Sequence, residues 1–202
     1  MKKQMNKKSE LSSVRVVAGL GNPGDEYTHT YHNVGMLALE YISKHLPDSW
    51  SCSQLRSPYK SFSYYTVTGP DKQTVVFVFP HTYMNESGLA VSRALQYFKL
   101  PLSSLLVLHD DSDMTIGSCK ITFDQRSAGH RGIESIMRQC GGKNFYRGKI
   151  GIRPAQEVVR KKADEFVLKN ISKKDFTVFE KEIFPYIISD IFTPLLKRPV
   201  VK

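Results

Sequence analysis

The chain has few cysteines, no long apolar run and no flexible linker, and each of these absences argues against a class of protein. Its 202 residues include three cysteines without CxxC spacing, which favours free thiols in a reducing compartment over disulfides or a zinc knuckle. The longest apolar runs are strand-sized, whereas a bilayer span needs about 20 apolar residues, so we expect no transmembrane segment. Without a Pro/Gly/Ser-rich linker, a chain of this length suits one domain.

Both ends of the chain are rich in lysine. The first ten residues, MKKQMNKKSE, lack the apolar segment of a secretory signal, and a mitochondrial presequence is usually richer in Arg and Ser and poorer in acids. We therefore expect a flexible basic tail over residues 1–13 and one domain over residues 14–202. The expected compartment is the cytoplasm, with the mitochondrion as the alternative.

Positive charge is unevenly distributed along the chain, whose formal net charge is +10. Residues 120–162 hold 11 Lys/Arg and 3 Asp/Glu, a balance of +8, whereas residues 16–119 hold 6 and 9, a balance of −3. A local excess of cations is typical of a surface that binds a polyanion, although a basic surface can also serve solubility alone.

Apolar runs rich in β-branched residues alternate with helical patterns, which predicts an α/β fold: a single-domain three-layer α/β/α arrangement with a mostly parallel mixed sheet. A Ser172-x-x-Asp175 cap predicts a last helix that Pro185 should end or kink. In such folds sites collect at the carboxyl ends of strands, beside helix N-termini. Strands are predicted over residues 14–20, 62–68, 74–79, 105–109, 119–123 and 149–152, and the earlier helices over 33–46, 87–98 and 132–140.

The first strand is followed by Gly19-Leu20-Gly21-Asn22-Pro23-Gly24, which matches the G-x-G-x-x-G pattern of dinucleotide-binding loops. That motif should open a helix directly and be followed, about 20 residues later, by an acidic residue at the end of a second strand. Here the next residues have no apolar helical face, the first helix starts only near Asn33, and position 44 is lysine. The dinucleotide interpretation is therefore disfavoured.

His32 directly precedes Asn33, a residue type that often caps helices. A lone histidine is usually structural or exposed. Next to the positive end of a helix, however, the charged form of its ring is disfavoured, and a neutral imidazole is what a general base requires.

Two further loops carry polar residues at strand ends. Asn85 lies just before a helix, where it could cap the helix or hold a water or a substrate carbonyl. Asp110, Asp111 and Asp113 could bind a hard cation, or one of them could orient an imidazole. Downstream, Gly129-His130-Arg131-Gly132 opens another helix.

Together these segments resemble the signatures of the bacterial-type peptidyl-tRNA hydrolase family, over about residues 14–168. The matching segments are Gly19–Gly24 with Tyr27, His32–Gly35, Met84–Gly88, His109–Asp113 and Gly129–Gly132. The resemblance implies a monomer that hydrolyses the ester between a peptide and the tRNA 3′ ribose, with no metal or other cofactor. Its implied partner is tRNA, and no membrane is involved.

Carried over by position, the resemblance makes His32 the general base and Asp110 the residue that orients its ring. Asn22 would help to distinguish N-blocked peptidyl-tRNA from aminoacyl-tRNA. The resemblance also implies contacts with the tRNA 3′ end or the peptide from Tyr27, Tyr83, Met84 and Asn85.

The chain departs from the family in four places. Arg131 stands where Asn is usual, and Tyr31 where Arg is usual; the run Ile150–Pro154 is one residue shorter than in the family, and the lysine-rich tail Lys197–Lys202 is not diagnostic of it. Arg131 adds charge, cannot accept a hydrogen bond and could reach a phosphate. In the basic stretch, Lys120, Arg147 and Lys149 are candidate tRNA contacts, with a solvated surface cation as the alternative for each.

No G-x-S-x-G elbow is present and no cysteine stands in a recognised nucleophile signature, so water activated by a base is the expected nucleophile. Two alternatives stay open. One is an RNA-binding member of the same fold that has lost activity. The other is a metal-dependent phosphoesterase with ligands from His32, His109, Asp110, Asp113 and His130.

Overall fold

The computed structural model describes residues 11–154 and 166–196, and within them eight strands form one sheet. The strands are β1 (Val16–Gly19), β2 (Ser51–Cys52), β3 (Arg56–Tyr59), β4 (Phe62–Thr68), β5 (Thr74–Pro80), β6 (Leu105–Thr115), β7 (Cys119–Phe123) and β8 (Tyr146–Arg153). Their order is β2-β4-β5-β1-β6-β8-β7, and β3 also pairs with β4. The sequence did not predict the short edge strands β2 and β3.

The sheet is mixed, as predicted. Its centre, β5-β1-β6-β8, is parallel, while β4 and β7 run antiparallel to their neighbours. Because β2 and β3 pair antiparallel with β4, six of the eight described strands run in one direction. Of the seven pairs of neighbouring strands in the described residues, four are antiparallel and three are parallel.

Helices cover both faces of the sheet, which confirms the three-layer prediction. They are α1 (Val34–Lys44), α2 (Ser87–Phe98), α3 (Arg131–Cys140) and α4 (Lys173–Val178). Val17 and Phe77 share one core with α1 and the C-terminal helical segment, and Val16 and Val78 share the other with α2 and α3. Alternate residues of a strand point to opposite faces, so the central strands are apolar throughout.

Pro185 does not end the last helix, so that half of the prediction, which allowed an end or a kink, is wrong. After α4 the helical backbone continues through π-helical Phe179–Ile183, Phe184–Tyr186, π-helical Ile187–Phe192 and Thr193–Leu196. Proline disrupts the i→i−4 hydrogen bonds of a regular α-helix, but the segments on either side of Phe184–Tyr186 are π-helical and have i→i+5 hydrogen bonds instead. The buried side chains of the whole segment pack it against the sheet. The predicted Ser172 cap is present, since its Oγ accepts from the N–H of Asp175 at 3.1 Å.

The folded domain begins earlier than the predicted boundary at residue 14. Leu11–Ser13 form a 3₁₀ turn, and Leu11 is buried in the same core as α1. An apolar side chain close to the first strand gains more by burial than by remaining in a solvated tail. The rest of the predicted N-terminal tail and the lysine-rich C-terminus, residues 197–202, lie outside the described residues.

Strand β6 extends well beyond its predicted end at His109. It continues to Thr115 because it pairs with β8 through Asp111 and Gly151. The segment His109–Asp113, predicted as a loop, is therefore part of a strand. Since β1 ends at Gly19, opposite Leu108, the next residues of β6 project past the end of β1. This offset leaves an open space at the carboxyl edge of the sheet.

Candidate active site

A cavity of about 330 Å³ occupies that space. Seven residues predicted from the sequence line it: Asn22, His32, Tyr83, Met84, Asn85, Asp110 and Arg131. The remaining lining residues are His109, Asp111, Ser112, Asp113, Ser127, Ala128, Gly129, His130, Val167 and Leu168. The volume and the mixture of apolar and convergent polar groups are typical of a small-ligand site.

His32 and Asp110 form a hydrogen-bonded pair in the cavity wall. Nδ1 of His32 lies 2.9 Å from Oδ1 of Asp110, and both side chains are mostly buried. A carboxylate only accepts hydrogen bonds, so Nδ1 carries the proton and Nε2 is left with its lone pair. The backbone N–H of His32 donates to the carbonyl of Val167 at 2.8 Å, which fixes the 3₁₀ turn that presents the ring. This is the geometry that a general base requires.

A second imidazole, which the sequence did not place in the predicted catalytic set, shares the same carboxylate oxygen. Nε2 of His130 lies 2.9 Å from Oδ1 of Asp110. Its Nδ1 accepts from the N–H groups of Gly132 and Ile133, at 3.1 and 3.3 Å, and so caps α3. Because Nδ1 is an acceptor, the proton is on Nε2. His130 is therefore a fixed donor that holds the carboxylate in position.

The two imidazoles control the charge of Asp110. Burial alone would raise the pKa of this carboxyl, but the hydrogen bonds that it accepts from His130 and His32, together with the favourable electrostatics of both rings, more than offset burial and hold its pKa well below the usual range. Asp110 is consequently an anion at the foot of the cavity.

The depressed pKa of Asp110 predicts a loss of stability in acid. A carboxylate whose pKa is lower in the folded state adds stability that is complete above its unfolded pKa of about 3.9 and declines as the pH falls toward the folded value. We expect the free energy of unfolding, from urea titrations between pH 3 and 7, to fall more steeply with acid in the wild type than in Asp110→Asn. The exposed Asp48→Asn is the control and should follow the wild type. Parallel curves for Asp110→Asn and the wild type would contradict this.

Asn22 is held from both sides. Its backbone N–H donates to Oδ1 of Asn33 at 2.8 Å, and its carbonyl accepts from Nδ2 of Asn33 at 3.0 Å. Oδ1 of Asn22 accepts from the N–H of Met84 at 2.8 Å, which leaves the amide NH₂ without a partner among the described residues. Asn33 therefore clamps the loop and makes no side-chain cap to α1, contrary to the prediction.

The glycines of the first loop serve close packing of the backbone. A Cβ on Gly35 would lie 2.1 Å from the carbonyl oxygen of Leu108, and a Cβ on Gly19 would lie 2.6 Å from that of Gly35. Helix α1 thus sits directly against β1 and β6, which brings His32 to Asp110. This contact explains the glycine pattern without a bound dinucleotide.

The rim of the cavity is aromatic and polar. Tyr83 is 53% exposed and meets Tyr27 edge to face, with ring centroids 6.4 Å apart. Tyr27 lies outside the cavity lining and contacts it through Tyr83. Asn85 is exposed and does not cap α2, whose cap position is Glu86, while Arg131 is the exposed first residue of α3.

The three predicted cationic contacts differ in exposure, and none lines the cavity. Lys120 is exposed. Lys149, its cross-strand neighbour, forms a mostly buried ion pair with Asp111. Arg147 is only 2% exposed, so its prediction as a surface contact is wrong: β8 is an interior strand, buried on both faces at this position.

The site does not suit metal-dependent hydrolysis or catalysis by a cysteine nucleophile. Ligand atoms of His32, Asp110 and His130 lie within 4.8 Å of one another, but a metal on Nε2 of His130 would force its proton onto Nδ1, against two helix N–H groups. Burial raises the pKa of Cys119 to about 12 and that of Cys140 to about 11, so neither thiol is a ready nucleophile.

The layered fold, with an imidazole and a carboxylate paired in a cavity, defines a hydrolytic enzyme of the α/β class. A profile of the peptidyl-tRNA hydrolase family matches residues 16–192. The chain therefore belongs to the peptidyl-tRNA hydrolase family, and the predicted resemblance is confirmed. The described part of the chain contains no helix long and apolar enough to cross a membrane.

Individual relatives agree with this assignment. The chain is 33% identical to a peptidyl-tRNA hydrolase of Mycoplasma capricolum, covering 92% of this chain and 99% of that one. It is 36% identical to one of Rickettsia bellii, covering 91% and 94%. The crystal structure of peptidyl-tRNA hydrolase from Acinetobacter baumannii superimposes with a TM-score of 0.76 at 25% identity, covering 91% of this chain and 89% of that one. A metal-dependent phosphoesterase and an inactive RNA-binding protein are not favoured.

Proposed function

We propose that the cavity hydrolyses the ester that joins a peptide to the 3′ ribose of tRNA, with Nε2 of His32 as the general base. The observation that carries this proposal is the orientation of His32. Asp110 occupies its Nδ1, so the basic nitrogen is the other one. An ester is an easily hydrolysed bond, and a positioned base contributes about 10²–10⁴-fold in rate.

In the proposed reaction a water gives its proton to Nε2 of His32 while its oxygen bonds to the ester carbonyl carbon. The carbonyl electron pair moves onto oxygen, and Asp110 balances the charge of the new imidazolium. When the oxyanion collapses, the bond to the ribose oxygen breaks, and that oxygen takes the proton from His32. The products are a peptide with a free carboxyl group and a tRNA with a free 3′ hydroxyl.

The unpartnered amide of Asn22 is proposed to donate to the substrate carbonyl. Asn22→Asp keeps an oxygen for the N–H of Met84 but replaces the donor with an acceptor, so we expect kcat to fall by about 10²–10³-fold. Single-turnover rates on N-acetylaminoacyl-tRNA measure this effect, and thermal melting checks that the loop is intact. An unchanged rate would remove Asn22 from the reaction.

Lys120 and Arg131 are proposed to contact tRNA phosphates, because both are exposed and both belong to the basic stretch of residues 120–162. Lys120→Ser should weaken tRNA binding and reduce the slope of log affinity against log salt by about one. Lys72→Asn removes an exposed cation from the β4–β5 turn and is the matched control. Equal slopes for the two variants would exclude the Lys120 contact. Lys149 is a poorer probe, since reversing its charge would also disturb Asp111.

We further propose that the enzyme acts as a monomer, since one chain supplies the whole His32–Asp110–His130 arrangement. Its free thiols suit a reducing compartment, the cytoplasm or the mitochondrion.

The direct test of the proposed function is release of tRNA from N-acetylaminoacyl-tRNA, with unblocked aminoacyl-tRNA as the control and a strong chelator in a parallel reaction. We expect turnover of the blocked substrate only, with or without chelator. Binding without turnover would instead favour a non-catalytic RNA-binding protein.

A further inference from the structure

One exposed face runs away from the cavity along α2. Asn85 lines the cavity, and Leu89, Arg93 and Tyr97 follow it at four-residue spacing, which places them in a row on the helix surface. All are exposed, Leu89 by 36% and Tyr97 by 44%. At about 1.5 Å per residue, α2 leads about 18 Å from the cavity. This is the length of about five residues of extended peptide.

The β3–β4 hairpin continues this row. The ring of Tyr97 meets Tyr59 edge to face, with centroids 6.1 Å apart, and lies 5.9 Å from that of Tyr64. Tyr59 is 46% exposed, and Arg56 is exposed on the same side of the sheet as its cross-strand partner Tyr64. We call Arg56, Tyr59, Leu89, Arg93 and Tyr97 the tyrosine–arginine face.

Exposed cations dominate this region beyond Glu86, which occupies the cap position of α2 next to Asn85. Residues 49–70 and 87–109 contain Arg56, Lys60, Arg93 and Lys99 but no Asp or Glu. Arg56 and Arg93 form no ion pair among the described residues. Tyrosine rings and Leu89 add apolar contact area. A ligand of this face should therefore be extended, with acidic or apolar groups.

The face lies on the opposite side of the cavity from the proposed tRNA contacts. Helix α3 flanks α2 on one side, where the N–H of Gly88 donates to Oγ of Ser135, and the β3–β4 hairpin contacts α2 on the other, where Tyr59 meets Tyr97. The two parts of the substrate ester diverge from the reacting carbon. If the ribose side leaves toward Lys120 and Arg131, the acyl side leaves toward α2.

We propose that the tyrosine–arginine face binds the peptide of the substrate beyond its first residue and favours acidic and apolar peptides over basic ones. This assignment rests on the proposed function. It adds a selectivity that depends on peptide length and charge, because an N-acetylaminoacyl group is too short to reach Arg93.

Three substrates on one tRNA test the assignment: an N-acetylaminoacyl group, a six-residue peptide rich in glutamate and one rich in lysine, all with the same C-terminal residue. We expect kcat/KM of the wild type to favour the glutamate peptide over the lysine peptide by about fivefold, as a few exposed charge pairs allow. Arg93→Glu should abolish or reverse this preference and leave the N-acetylaminoacyl substrate unchanged. Lys99→Glu makes the same charge change at the end of α2, away from the row, and should keep the wild-type preference.

Several outcomes would overturn the assignment. Equal preferences in Arg93→Glu and Lys99→Glu would show that the peptide does not lie on this face. An equal loss on all three substrates would assign Arg93 to RNA. Failure of the wild type to hydrolyse N-acetylaminoacyl-tRNA would overturn the proposed function and this assignment with it, whereas normal hydrolysis with no peptide preference overturns the assignment alone. Arg93 makes no hydrogen bond or ion pair in the described structure, so the variant should fold, and thermal melting confirms this.

Discussion

His32→Ala is expected to lower kcat on N-acetylaminoacyl-tRNA by about 10²–10⁴-fold, the usual contribution of a positioned general base. The basic atom is Nε2, and neither of the other two histidines among the described cavity residues is a good replacement. His109 is buried, and burial lowers its pKa well below the usual value, which makes it a weak base. Nε2 of His130 carries a proton that is committed to Asp110, and its Nδ1 is committed to α3. KM and tRNA affinity should change little, because the ring is mostly buried and contributes to the chemical step.

The matched control is His45→Ala, which removes an exposed imidazole at the C-terminal end of α1, far along the helix from the cavity. Its kcat should equal that of the wild type. If His32→Ala kept more than about a tenth of wild-type activity, a loss smaller than general-base catalysis normally gives, the base would have to be sought elsewhere in the cavity. A rise in KM at constant kcat would instead make His32 a binding residue.

The sequence predicted most residues of the candidate site because its motifs reflect backbone constraints. Gly19 and Gly35 are required where α1 touches β1 and β6, and this contact places His32 beside a residue 78 positions later in the chain. The alternation of strands and helices then places both residues at one edge of the sheet. A sequence pattern that arises from close backbone packing can therefore be recognised without a structure.

Other features depend on relations that no local pattern contains. His130 reads as a possible metal ligand or a helix opener, and only the fold shows that it shares an oxygen of Asp110 with His32. Arg147 and Lys149 look like equal surface cations, but exposure depends on which strand lies in the interior of the sheet. The order β6-β8-β7 makes β8 an interior strand. Strand order is set by long-range pairing, so the sequence could not separate these residues from Lys120.

Tyr31, which stands where the family usually has Arg, has a local explanation. Its hydroxyl donates to Oδ2 of Asp175 at 2.6 Å, and its ring meets Phe166 edge to face. Burial and the hydrogen bond to Asp175 raise the pKa of this phenol, so it stays a donor. Tyr31 thus ties the turn that carries His32 to the start of α4. Arg131, another departure, lies in the cavity wall as the exposed first residue of α3, where it adds positive charge.

Asp110→Asn should lower kcat by about 10²–10³-fold, less than the roughly 10⁴-fold seen where the same change in a serine protease triad also gives the histidine the wrong tautomer. The shared oxygen is the reason. His130 always donates from Nε2, because its Nδ1 accepts from Gly132 and Ile133, so an amide at position 110 must turn its oxygen toward His130. His32 donates to that same oxygen and keeps Nε2 free. The substitution therefore removes the charge that stabilises the imidazolium and leaves the tautomer intact.

Removing His130 should separate the two effects of Asp110→Asn, the loss of negative charge and the change of the His32 tautomer. In a His130→Ala background the amide at position 110 is free to flip and donate to Nδ1 of His32, which would move the proton to Nε2 and block the base. The double variant His130→Ala/Asp110→Asn is expected to lose about tenfold more activity than the product of the single losses, a coupling typical of residues in one hydrogen-bond network. Single-turnover rates of the four proteins measure the coupling, and nitrogen-15 NMR of His32 reports its tautomer. Strictly multiplicative losses, or a flipped tautomer in Asp110→Asn alone, would show that His130 does not orient the carboxylate.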